Sequence, residues 1–119
     1  MTSTVASSPT LLVVGGGIAG MTAALEAAEA GRDVILVERA PTLGGRTAQL
    51  YRYFPKMCHP TCGLEINLRR LRANRRVRVL TMAEVTAVSG RAGDYRVTVR
   101  QRPRYVDERC TACGDCARA

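Results

Sequence analysis

The 119-residue sequence has no tryptophan, one phenylalanine, one histidine and a single lysine, Lys56, among its 18 basic residues. Each scarcity excludes something. Aromatic residues make up only 4% of the chain, leaving few rings on which bases could stack. The arginines behind the net charge of +8 are spread over several segments, and no DNA- or RNA-binding motif accompanies them. Nucleic acid is therefore not an expected partner, and the charge reads as a solvated face or a docking face for an acidic partner. Long apolar runs are also missing. Leu11-Leu12-Val13-Val14 is too short for a membrane span or a signal-peptide core, and no basic segment precedes it. We expect a cytoplasmic protein with no span of its own. The lone histidine, His59, has no visible acid–base partner, so no catalytic side chain is expected. Cysteine is the exception to this sparseness. Five cysteines in a chain without a secretory leader point to metal or redox chemistry rather than a disulfide framework.

What is present begins with a β-α-β unit. Leu11–Val14 reads as a strand and runs into Gly15-Gly16-Gly17-Ile18-Ala19-Gly20, which fits the G-x-G-x-x-G spacing. Met21 to Ala30 are nearly all helix formers, Gly31 stands where a helix stops, and Val34–Val37 reads as a second strand ending in Glu38. Each part has a physical task. Gly15 permits the tight turn, Gly17 lets backbone approach a pyrophosphate, and Gly20 lets helix and strand pack closely. The helix start offers free N–H groups and a positive dipole end to phosphates. Glu38, eighteen residues after Gly20, is placed to accept hydrogen bonds from ribose hydroxyls. The pattern predicts dinucleotide binding.

The choice between dinucleotides rests on a resemblance. Glu38-Arg39 followed closely by Gly44-Gly45-Arg46 is similar to the second signature of two-dinucleotide-binding flavoproteins, which implies FAD. The expected cofactor contacts are Gly15, Gly17, Gly20, Glu38, Arg39, Gly44, Gly45 and Arg46.

Farther along, Gln49 to Gly63 reads as an irregular, cofactor-facing loop. Leu64 to Arg72 reads as a short amphipathic helix with Leu64, Leu68 and Leu71 on one face. Val77–Thr81 is an expected strand. Glu84–Val88 and Asp94–Arg100 are expected to form a hairpin around Gly90-Arg91-Ala92-Gly93, with Tyr95, Val97 and Val99 on one face. The fold class is α/β: an incomplete Rossmann-like FAD-binding domain with a β-hairpin insertion and the start of a ferredoxin-like 4Fe-4S segment. Residues 1–10 are expected to be a disordered lead-in, 11–102 the nucleotide domain, and 103–119 the start of the iron–sulfur segment. Only two parallel strands are evident, and none can be placed after Gly93. We therefore expect the N-terminal piece of a longer protein, inactive by itself.

Cys110-Thr-Ala-Cys113-Gly-Asp-Cys116 matches the first three positions of the bacterial ferredoxin run C-x2-C-x2-C-x3-C-P. Its two-residue gaps let successive thiolates curl around one cubane. Structural zinc uses paired knuckles set farther apart and fits less well. Cys58-His59-Pro60-Thr61-Cys62 is weaker, since a three-residue gap containing proline is not the C-x-x-C redox motif. On spacing alone these two thiols could ligate metal or form a redox dithiol, but the reading as buried or inert packed thiols is preferred.

Three stretches together resemble a known family: Val14–Met21, Phe54–Ile66 and Pro103–Cys110 leading into the ferredoxin-like run. They are similar to the flavin-binding, iron–sulfur A subunits of heterodisulfide reductases, and more so to their relative in quinone-interacting membrane-bound oxidoreductase complexes. In heterodisulfide reductases the middle cysteines stand two residues apart, whereas Cys58 and Cys62 have three between them, which favours the quinone-linked branch. The resemblance implies an FAD- and iron–sulfur-dependent electron-transfer subunit. It also implies other subunits of such a complex as partners, among them a membrane-bound quinone-reactive one, with placement peripheral to the inner face of the membrane. It raises Cys58 and Cys62 to candidate cluster ligands or redox thiols near the flavin. Two other classes compete: an FAD- or NAD(P)-dependent oxidoreductase acting on a small molecule with a structural metal site, and a non-enzymatic metal-binding docking module.

Overall fold

The computed structural model describes residues 9–118. The first strand, β1 (Thr10–Val14), leads through the glycine turn into helix α1 (Ile18–Glu29), and β2 (Asp33–Val37) returns parallel to β1 with Val13 opposite Leu36. A 3-10 turn at Thr47–Gln49 and a loop then lead to α2 (Thr61–Ala73) and β3 (Val77–Leu80). That third strand pairs parallel with β2, Leu36 opposite Val79, so the sheet order is β1-β2-β3. The parallel sheet thus has three strands, one more than the sequence suggested. The periodicity of Val77–Leu80 showed a strand but not its direction. A doubly wound sheet grows outward from β1, whose outer edge is open among the described residues.

Both helices cover one face of this sheet. Met21, Ala24, Leu25 and Ala28 of α1, Leu64 and Leu71 of α2, and Val34 and Leu36 of β2 form the buried core, each at most 5% exposed. Full burial of a leucine or valine contributes roughly 1.5–3 kcal/mol relative to exposure. The run from Met21 to Ala28 is rich in alanine, which lets α1 lie close to the sheet. At its end, Gly31 N–H bonds the Ala28 carbonyl and Arg32 N–H the Ala27 carbonyl, the Schellman pattern that stops a helix at glycine.

Several boundaries differ from expectation. Thr10 opens β1, so it does not belong to a disordered lead-in; residues 1–8 of that lead-in lie outside the described residues. Helix α2 starts at Thr61 rather than Leu64, because Pro60 is well suited to the start of a helix and its carbonyl accepts the Leu64 N–H. Leu64 and Leu71 are buried as expected, but Leu68 is 37% exposed. The hairpin strands β4 (Ala83–Arg91) and β5 (Asp94–Gln101) are longer than expected and leave only Ala92-Gly93 in the turn. They pair antiparallel in their own two-stranded sheet, with a bulge between Val85 and Ala87. Val97 and Val99 are half-buried, while Tyr95, on the same face, is exposed.

Candidate functional site

The glycine turn sits at the carboxyl ends of β1 and β2, where open α/β sheets place their ligands. Gly15 has φ +106°, a conformation that other residues rarely adopt, and its N–H bonds the Val37 carbonyl at 2.8 Å, tying the turn to β2. A Cβ on Gly20 would stand 1.8 Å from the Gly15 carbonyl oxygen, so the helix can approach the strand this closely only with glycine there. At Gly17 a Cβ would meet nothing within 4 Å. The backbone at Gly17 therefore faces open space. Gly17 caps α1, and no side chain caps that helix end, leaving its first-turn N–H groups directed outward.

Glu38 closes the other side. Its carboxylate accepts a hydrogen bond from Gly16 N–H at 2.5 Å and one from Ala40 N–H at 2.6 Å. The acid at the end of β2 is thereby fixed against the phosphate turn. Gly44 and Gly45 join the same cradle. Gly44 N–H bonds the Gly16 carbonyl at 2.8 Å, and a Cβ on Gly45 would lie 3.0 Å from Gly17 Cα. Arg39 and Arg46 are both exposed beside it. Of the residues expected to hold a dinucleotide, Glu38, Gly44 and Gly45 are thus brought against the Gly15–Gly20 turn although they are distant from it in sequence. Leu43 escaped notice in the sequence. Its side chain lies so close to Gly16 that a Cβ there would be 2.4 Å from it, and only the closeness of the GG pair hinted at such a contact.

The cysteines are arranged differently. All five are free; Cys58 is partly buried and the other four are exposed. Cys58 bridges to Tyr53 across a short antiparallel pair, and Cys62 lies in the first turn of α2 rather than in the loop expected for it. The His59 ring bonds the Thr61 hydroxyl at 2.9 Å, so it is engaged locally. Before the ferredoxin-like run, Arg109 clasps Asp107 and holds that carboxyl below its ordinary range, chiefly through the side-chain hydrogen bond. Within the run, Ala112 and Gly114 adopt left-handed backbone, Ala112 N–H lies 3.4 Å from Cys110 Sγ, and Cys113 Sγ lies 3.4 Å from Asp115 Oδ2. An amide directed at a cysteine sulfur is the contact that tunes cluster thiolates, so the local donor set fits an iron–sulfur cluster. Among the described residues, however, no three His, Cys, Asp or Glu side chains are drawn together as a metal site.

A family model described as FAD dependent oxidoreductase matches residues 10–111. The chain belongs to this family. Within it, the chain is 44% identical over 107 residues to an iron-sulfur A subunit, the second of its kind, of the CoB–CoM heterodisulfide reductase of Methanopyrus kandleri, covering 89% of this chain and 16% of that protein. It is likewise 44% identical over 110 residues to the corresponding iron-sulfur A subunit of Methanocaldococcus jannaschii, again covering 89% of this chain and 16% of the relative. The chain therefore spans about one sixth of these relatives. Among solved structures, histamine dehydrogenase from Rhizobium sp. 4-9 superposes with TM-score 0.55 at 29% identity, covering 69% of this chain and 12% of that one. L-proline dehydrogenase from P. horikoshii shares the fold with TM-score 0.65 at 23% identity, covering 77% of this chain and 19% of that one. No helix among the described residues is long and apolar enough to cross a membrane.

Proposed function

We propose that this chain supplies the FAD-binding opening and the first cluster ligands of an electron-transfer subunit in a heterodisulfide-reductase-like or quinone-linked oxidoreductase complex. The observation that carries the reading is the cradle around Gly16 and Gly17, made by Glu38, Gly44 and the α1 N-terminus. Gly17 and the first-turn amides of α1 would hold the pyrophosphate, and Glu38 would accept hydrogen bonds from the adenosine ribose. Arg39, Gly44, Gly45 and Arg46 would border the cofactor on the second side. Cys110, Cys113 and Cys116 would hold a 4Fe-4S cluster, with Cys58 and Cys62 as further ligands or redox thiols. When bound, a flavin beside clusters converts between two-electron and one-electron partners. The chain's own part is to orient the flavin and to set potentials through amide–sulfur contacts and charge. Partner subunits, a quinone-reactive one among them, would take the electrons on, with the protein cytoplasmic and peripheral to the membrane.

The test is the visible spectrum and the metal content of the intact protein purified without oxygen. Flavin bands together with iron and acid-labile sulfide are expected. Flavin without sulfide would favour a small-molecule oxidoreductase with a structural metal, and neither flavin nor sulfide a docking module.

A further inference from the structure

The segment that leads from β5 to the cysteines does more than connect them. Beyond Glu38, residues 39–43 form a bent loop without regular structure, yet three consecutive carbonyls in it are satisfied from one side. The Arg39 carbonyl accepts from the Arg102 guanidinium at 3.2 Å, the Ala40 carbonyl from Met82 N–H at 3.1 Å, and the Pro41 carbonyl from the Arg104 guanidinium at 2.9 Å. Arg104 also bonds the Thr81 hydroxyl, and the strap is fixed by Arg102 N–H on the Met82 carbonyl at 2.8 Å. The far side of this loop is what frames the phosphate turn. Glu38 at its start bonds Gly16 N–H, Leu43 packs on Gly16, and Gly44 bonds the Gly16 carbonyl. A continuous set of contacts therefore runs from Arg104 to Gly16 in the glycine turn.

We infer that Arg104, assisted by Arg102, is a positioning residue for the dinucleotide site, coupling the strap that carries the cysteines to the ribose end of the cofactor. The inference rests on the FAD reading above. Neither arginine is in the core; both are exposed, and their partners are loop carbonyls and a hydroxyl. Removing Arg104 would leave the buried core intact while releasing the Pro41 carbonyl and the loop that aligns Glu38 and Leu43. By linkage, whatever the loop gains on holding the cofactor it transmits to the strap.

The experiment uses the intact protein, stripped of flavin and titrated with FAD. Arg104→Ala is expected to weaken FAD binding by about fivefold, the effect of losing a charge-assisted hydrogen bond that holds a loop, with the melting temperature of the flavin-free protein unchanged. Arg104→Lys should restore part of the affinity. In a Glu38→Ala background the same substitution should cost less, because one of the contacts it acts through is already gone while those of Leu43 and Gly44 remain. Should Arg104→Ala not accumulate folded, Thr81→Val, which removes one acceptor of the guanidinium, must weaken binding by a smaller factor. Wild-type affinity in either folded variant overturns the inference. So does an equal loss with and without Glu38 accompanied by a lowered melting temperature, since that marks general support of the fold. A wild-type protein that binds no FAD at all overturns the cofactor reading instead, so the two failures are distinguishable.

Discussion

The glycine turn and the cysteine run are both short motifs with fixed spacing, yet the structure treats them differently. Gly15–Gly20, Glu38 and Gly44–Gly45 come together in one cradle against a buried core. Cys110–Cys116 lies exposed, its thiols not drawn into a metal site. The difference is in what each site is made of. A pyrophosphate cradle consists of backbone amides, a helix end and glycines, and those are fixed once strand, helix and strand have packed. A thiolate site consists of side chains that repel one another when charged, and its geometry is completed by the metal; binding and folding are then one event. On the function proposed above, the first kind of site is fixed by the fold itself, whereas the second kind is completed by its metal.

Substitutions can break this contrast, and the largest effect is expected at Gly20. A methyl group there would collide with the Gly15 carbonyl at 1.8 Å, backbone against backbone, so neither side can yield cheaply. Gly20→Ala should separate α1 from β1 and destabilise the domain by about 3 kcal/mol or more, read by thermal melting. Gly17→Val tests the other half of the claim. Its Cβ meets nothing within 4 Å of protein, so the flavin-free domain should melt as wild type does while FAD is lost. Equal flavin content in wild type and Gly17→Val would refute the placement of the pyrophosphate. For the cysteine run, Cys113→Ser in the intact protein should lose iron and acid-labile sulfide while keeping FAD. Stoichiometric zinc with no sulfide in the anaerobically purified wild type would reject a cluster there.

The same contrast explains what could be read in advance. Strand β1, helix α1 and strand β2 were legible because local periodicity, glycine placement and a helix stop all agreed. The pairing of Glu38 with the turn was legible as a spacing, although the sequence showed only a ribose acid and not its bond to Gly16 N–H. The direction of β3 was not legible, since a four-residue strand carries no sign of its partner. The start of α2 was misplaced because Pro60 and two cysteines read as loop until the backbone turned helical around them. The clamp of Arg102 and Arg104 on Arg39 and Pro41 spans 63 residues and follows no period. Contacts between two irregular segments leave no local pattern, and in an arginine-rich chain two more arginines carry no signal.

The smallest expected effect lies on the hairpin that joins the two regions. Glu84 on β4 stands opposite Arg100 on β5, and the guanidinium reaches its carboxylate at 2.5 Å. The Arg100 hydrogen bond, then its charge, hold the Glu84 carboxyl below its ordinary 4.5, and the charges of Arg102 and Arg39 add to this. A carboxyl whose pKa is depressed on folding stabilises the native state above its unfolded value, and that stabilisation is lost as pH falls through the folded value. Wild type should therefore be more stable than Glu84→Gln at about pH 7, and the gap should narrow as pH drops below 4.5. The Arg100 and Glu84 side chains are exposed to solvent, at 67% and 39%, so the gap should be small and shrink further in high salt. Melting curves of the two proteins at neutral and acid pH, each at low and high salt, read this directly. A gap unchanged by acid would mean that Glu84 holds the hairpin by shape rather than by charge.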